Sequence, residues 1–358
     1  MAPTKPVQIL LVGAGGHIGA AVLEALSSAN LPIRITALVR SNDDLRHLND
    51  RYNGRADPLL ISLNDTSSLI DQASKTQIII NCAPDVPNTS GISTLLSSLS
   101  TTPHPHKFYI ATSGAARIWS SPDPSTPGDK IWDDLIDLPN FPINTTHAAT
   151  DIQVQSANSP SLHTAIVSPC FVIGKSPSKS HRTPITFPDL HHVTRSVGAA
   201  WSVGPGENLV SFVDTFELAN LYVLLVEDAL EVIGDDTQLR REVWGEQAYY
   251  FGESGMEISF RGFMQKEMIP AMKMNEGSKG WIKEDGVKEL ELEDAVQRIM
   301  TRMGGVEGAD LWSRHIAEGF GTAMRIRASR ARKYLGWKTG GKVDLGEAVE
   351  AYIELVGV

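Results

Sequence analysis

The sequence predicts an α/β protein, a doubly wound parallel sheet followed by a smaller, mainly helical C-terminal region. Three observations carry that expectation. Short β-branched apolar runs alternate with helix-like stretches through the first half of the chain, the pattern of a parallel sheet covered on both faces. The first of these runs enters a glycine-rich turn that opens a helix. With 42% hydrophobic and 21% charged residues, the 358-residue chain also has the composition of a folded protein with a sizeable core.

Six strands are expected, at Val7–Val12, Ile33–Val39, Leu59–Leu63, Gln77–Asn81, Lys107–Ala111 and His163–Val167. Between the first two, a helix over His17–Ser28 places Ile18, Ala21, Val22, Ala25 and Leu26 on one apolar face, which completes a β-α-β unit. From Trp119 to Asn144, five prolines (122, 124, 127, 139 and 142) block any long regular element and predict a surface loop. Residues Lys175–Pro188 read as irregular, and Phe212–Leu230 and Glu289–Gly319 carry helical periodicity. The expected organisation is a nucleotide-binding body at 1–174, with later returns to the sheet around 209–230 and 247–252. A substrate region at 175–208 and 253–340 and a terminal helix at 341–358 complete it.

A net charge of −10 gives no general attraction to polyanions, so neither nucleic acid nor an acidic membrane is expected as a partner. A small-molecule substrate is expected, with the chain a monomer or homodimer. The two cysteines, Cys82 and Cys170, each fall in or just after a buried apolar run, which predicts free thiols and a reducing, cytoplasmic setting. Sequons at Asn64, Asn88 and Asn144 are therefore read as chance matches, and no run reaches the ~20 apolar residues of a membrane span. His104, His106, His191 and His192 lack clustered ligands, so no metal is expected. The basic stretch from Arg325 to Lys338 reads as a solvated helix face.

The most informative segment is Val7–Val12 followed by Gly13-Ala14-Gly15-Gly16-His17-Ile18-Gly19. Gly13 and Gly16 let the backbone turn tightly and approach a pyrophosphate without a Cβ clash, and Gly19 lets helix and strand pack closely. The amides of Gly15, Gly16, His17 and Ile18 then face the anion at the helix N-terminus. A merely structural turn is the alternative. At the end of the second strand stands Arg40, 21 residues beyond Gly19, where a carboxylate normally grips the ribose of NAD. A guanidinium there pairs with a ribose 2′-phosphate, so NADP(H) is expected over NAD(H). Asp43 and Asp44 keep NAD open if the loop folds back.

Beyond this point the chain resembles the extended and atypical members of the short-chain dehydrogenase/reductase superfamily over most of its length. Gly13, Gly16 and Gly19 follow their spacing. Ser62-Leu63-Asn64-Asp65 is similar to the segment beside adenine, and Asn81-Cys82-Ala83-Pro84 to the fourth strand end beside the coenzyme ribose. Ser168-Pro169-Cys170-Phe171-Val172-Ile173-Gly174 resembles the Arg-Pro-x-x-x-Tyr-Gly run near the nicotinamide, with Ser168 and Ile173 replacing two of its residues. Ser211–Asp214 with Leu218-Ala219, and Leu335-Gly336-Trp337, resemble later landmarks, and Tyr249–Gly255 resembles fungal epimerase/dehydratase-like chains. The resemblance implies a Rossmann fold, and coenzyme contacts from Ser62, Leu63, Cys82, Ala83, Pro84 and Pro169 beside the glycine loop.

It also implies a strand-end Ser that holds a substrate carbonyl and a Tyr-x-x-x-Lys pair that passes a proton, the Lys lowering the tyrosine pKa. Ser113 supplies the first. No Tyr-x-x-x-Lys follows it before the sixth strand. In its place stand His147 and Asp151, four apart and so on one helical face. In one register they replace Tyr and Lys; in the other Ile143 and His147 do. The first makes His147 a general acid or base with Asp151 as its partner. A helix capped by Asn144 or Thr145 with a surface His-Asp pair accounts for the same residues without catalysis. The expected function is an NADPH-dependent oxidoreductase acting on a carbonyl or conjugated alkene of a small, secondary-metabolite-like molecule. A non-redox epimerase, dehydratase, isomerase or cyclase, and a catalytically inactive NADP-sensing binding protein, are the alternatives.

Overall fold

The structure, a computed structural model, describes residues 5–84, 89–340 and 346–356. Strands β1 (Val7–Val12), β2 (Ile33–Val39), β3 (Ala56–Leu60), β4 (Ile78–Asn81), β5 (Lys107–Thr112), β6 (Leu162–Pro169) and β7 (Tyr249–Gly252) form one seven-stranded sheet in the order β7-β6-β5-β4-β1-β2-β3. Every pair in it is parallel. Strands buried on both faces need no alternation, and all eight residues of β6 are buried.

Helices α1 (His17–Ser28), α2 (Asn42–Tyr52), α3 (Thr66–Ser74), α4 (Thr89–Thr101) and α5 (Ala148–Ser156) connect successive strands. Two more, α6 (Phe187–Val197) and α7 (Thr215–Gly234), follow β6. α1 packs against α7, α3 against α4, and α4 against α5. The strand order reverses between β1 and β4, so the C-terminal ends of those strands open the crevice where such sheets bind ligands.

β1, β2 and α1 occupy the residues expected of them. The third strand begins three residues earlier than expected and contains Pro58, which an edge strand tolerates because one row of its amides has no partner to serve. The return at 247–252 is β7, paired with β6. The return expected around 209–230 does not reach this sheet. Leu209–Asp214 pairs instead with Phe171–Ile173 and Glu257–Ser259 in a separate three-stranded sheet, and α7 follows it. Glu289–Gly319 divides into helices Leu292–Met303 and Ala309–Phe320, broken where Gly304, Gly305 and Gly308 take positive φ.

The proline-rich stretch is more tightly held than a surface loop. Trp132–Asp133 pairs with Ile326–Arg327, and fully buried Asp134 accepts hydrogen bonds from Phe251 N and Arg330 N, both 2.8 Å. Burial pushes the Asp134 carboxyl up to about 8, against the pull of those two amides. The basic stretch is likewise engaged: Arg325 pairs with Glu257, and Arg332 with Glu253. Of the expected terminal helix, Gly346–Val356 is helical, while 341–345, 357–358 and the sequon at Asn88 lie outside the described residues. No helix among the described residues is long and apolar enough to cross a membrane.

Candidate active site

The site has two parts, a nucleotide loop at β1 and a polar cluster at the end of β5. In the loop, Gly13 has φ +80°, and a Cβ there would lie 2.8 Å from Ala83 N, so Cys82 and Ala83 close against it. A Cβ on Gly16 would meet only the Gly13 carbonyl oxygen, at 3.2 Å, which leaves that side open to a ligand. Gly16 caps α1 without any side-chain hydrogen bond. The first amides of α1 are thus available to an anion, and the cradle fits a pyrophosphate.

His17, first residue of α1, turns its ring inward. Nδ1 lies 3.1 Å from His181 O and Nε2 2.9 Å from Thr215 Oγ1. Burial lowers its pKa to about 4, so the ring is neutral, and the Thr215 hydroxyl beside it donates to Ile173 O at 2.7 Å. Ile18 is half-buried beside it.

Residues 175–183 form a strap over this loop. Alternate serines donate from it: Ser176 to His17 O (2.7 Å), Ser178 to Gly15 O (2.6 Å) and Ser180 to Asp44 Oδ1 (2.7 Å). Asp44 is itself buried, accepts from the Ser41 hydroxyl at 2.7 Å, and sits where a Cβ on Gly15 would come within 2.9 Å of its carboxylate. Arg40 is exposed at the end of β2, with no hydrogen bond or ion pair among the described residues. Ser62 is exposed, its hydroxyl accepting from Asn64 N, while Leu63 is half-buried and Pro84 exposed. The Cys82 thiol is pushed up to about 12 by burial, with the Thr112 and Tyr222 hydroxyls pulling the other way. Pro169 is buried at the end of β6, in register with Gly252.

At the second part, Ser113 follows β5, its amide donating to Val167 O (2.8 Å) and its hydroxyl buried. His147 is the N-cap residue of α5, and its Nε2 lies 2.8 Å from where a Cβ on Gly114 would be. Only a glycine at 114 admits the imidazole so close to the strand end. Asp151, one turn on, is 3% exposed rather than on the surface. It accepts from the Tyr249 hydroxyl at 3.0 Å and pairs with Arg117 Nε at 3.5 Å. Burial raises its pKa to about 6, offset by the Ser113 hydroxyl, the charge of His147, the Tyr249 hydroxyl and Arg117. Tyr249 is driven well above the ordinary phenol range by burial and then by the Asp151 charge.

Ser113, His147 and Asp151 therefore come together, while Ile143 is exposed. The helix cap is His147, not Asn144 or Thr145, because Thr145 instead donates to Arg117 O (2.6 Å) and fixes the turn before the helix. Sequence reasoning missed Arg117, Tyr249, Trp119 and His315. The His315 ring stacks on Trp119 at 4.8 Å between centroids, and its pKa is lowered by burial and by the nearby His147. Among the described residues no group of three or more His, Cys, Asp or Glu side chains could hold a metal, and both cysteines are free thiols.

A family model described as "Saccharopine dehydrogenase NADP binding domain" matches residues 9–95. No curated protein matches the chain. Among solved structures, the PbgP3 protein of Burkholderia pseudomallei is 13% identical, with a TM-score of 0.68 over 99% of this chain and 98% of that one. The terminal R domain from the myxalamid biosynthetic pathway is 15% identical, with a TM-score of 0.66 over 100% and 93%. The UDP-glucose 4-epimerase of Thermotoga maritima is 14% identical, with a TM-score of 0.60 over 98% and 99%. At these identities the likeness is one of fold.

Proposed function

We propose that this chain, an extended short-chain dehydrogenase/reductase by fold, is an NADP(H)-dependent oxidoreductase acting on a carbonyl or conjugated alkene of a small organic molecule. The observation that carries the reading is the His147 imidazole resting on Gly114, beside Ser113 and above the buried Asp151. The coenzyme, when bound, supplies or accepts hydride. The α1 amides and the glycine loop hold its pyrophosphate, and Arg40 offers a guanidinium to a 2′-phosphate.

Ser113 holds the substrate oxygen and the half-exposed His147 imidazole moves the proton. Asp151 is a positioning residue: it is committed to Arg117 and Tyr249 and stands behind the imidazole as a negative charge. Coenzyme consumption over a panel of small carbonyl compounds tests the reading. Ser113→Ala and His147→Ala are each expected to lower kcat about a hundredfold or more. Turnover that survives both substitutions unchanged sinks the assignment.

Asp44 favours a second reading of the coenzyme. A carboxylate against Gly15 repels a 2′-phosphate and suits the hydroxyl of NAD(H). Fluorescence titration with NADPH and NADH separates the two. If Arg40 reads a phosphate, Arg40→Ala weakens NADPH about tenfold or more and leaves NADH unchanged. If Asp44 reads a hydroxyl, Asp44→Asn weakens NADH instead. A non-redox epimerase or dehydratase reading draws support from the epimerase neighbour and the missing Tyr-x-x-x-Lys; product formed with no net change in coenzyme would favour it over the oxidoreductase.

A further inference from the structure

We infer that the chain carries a second anion site, on the outer side of the strap, which takes a phosphorylated small molecule bearing a flat ring. A groove of about 440 Å³ is lined there by His47 and Arg51 of α2, Lys175, Lys179 and Arg182 of the strap, and Phe216 in the first turn of α7. That volume falls in the range of small-molecule sites. None of Gly13, Gly16, Arg40, Cys82 or Ala83 lines it, so it is separate from the coenzyme crevice.

In a chain of net charge −10, this lining contains four Lys or Arg side chains and no carboxylate. Some of that charge is already met. Arg51 pairs with Glu24, Arg182 with Glu354, and Asp43, paired with Arg46, feels Lys179. His47 Nε2 is taken by Pro177 O. Lys175 and Lys179 have no hydrogen bond or ion pair among the described residues, and two ammonium groups over one concavity suit a doubly charged phosphoryl group.

Phe216 is 43% exposed on the rim, a large apolar ring whose face can stack on a flat group attached to the phosphate. The floor is preorganised. Ser176 and Ser178, which also line the groove, donate to His17 O and Gly15 O, which fixes the strap before any ligand arrives.

The test is calorimetric titration of the full chain with inorganic phosphate and with phenyl phosphate. Both are expected to bind, phenyl phosphate more tightly, and both should weaken as salt rises. Lys175→Ala/Lys179→Ala should weaken both about tenfold or more. Phe216→Ala should weaken phenyl phosphate alone. Thermal melting of each variant confirms that it is folded. The inference is overturned if neither probe saturates, or if the double lysine variant binds both like the wild type. It is equally overturned if Phe216→Ala leaves the preference for phenyl phosphate intact. The coenzyme titration of the variants reads the other crevice, so the two results fail independently.

Discussion

Replacing Asp151 with alanine is expected to cost about 3 to 5 kcal/mol of folding stability, read from denaturant unfolding. Among the described residues Asp151 is the one carboxylate paired with the 5% exposed Arg117, and its removal takes that counter-charge from a buried guanidinium. The Tyr249 hydroxyl loses its acceptor at the same time. Asp151→Asn keeps an oxygen for Tyr249 and should lose less. A cost below about 1 kcal/mol for the alanine variant would mean that the pair behaves as an exposed one.

The pH dependence has a definite sign. The folded pKa of Asp151, about 6, lies above its ordinary value near 3.8, because burial disfavours the carboxylate. The stability it contributes through that shift is fully present below about pH 4 and is lost as pH rises through about 6. Asp151→Asn removes this slope between the two values, and comparison of unfolding curves across that window shows it.

Gly19→Ala is expected to abolish detectable coenzyme binding and to cost roughly 3 kcal/mol. A single Cβ at Gly19 overlaps the Gly13 carbonyl oxygen and comes within 2.8 Å of Gly13 C. Both atoms are backbone in the loop itself, so no side chain can swing aside. α1 must move off β1, and the amide cradle opens. Gly280→Ala is the control, since a Cβ there meets nothing within 4 Å. Coenzyme fluorescence and thermal melts on the two variants give the comparison; wild-type affinity in Gly19→Ala would show that the loop geometry is not what binds.

What the sequence made legible was local. The apolar run before Gly13 and the helical periodicity after it located β1 and α1, because both signals come from neighbours in the chain. The shared face of His147 and Asp151 was equally a matter of spacing. What lies behind that face was not. Tyr249 reaches Asp151 across 98 positions, and the strap reaches Gly15 across 163. The burial of Asp151 follows from those distant partners, so a His-Asp pair that spacing alone assigned equally well to a surface is in fact half sealed. Trp119 and His315 similarly meet only because Ala309–Phe320 packs back over the strand ends; its Gly319 leaves room for the indole.

The late arrival of β7 has a bearing on how the chain is made and dissected. β6, buried along its whole length, is left as a bare rim until residues 249–252 are added. A fragment ending at 174 would offer that rim to any other extended chain and aggregate. A growing polypeptide carries the same hazard for about eighty residues after β6 has left the ribosome, which makes this interval the one a holdase would shield.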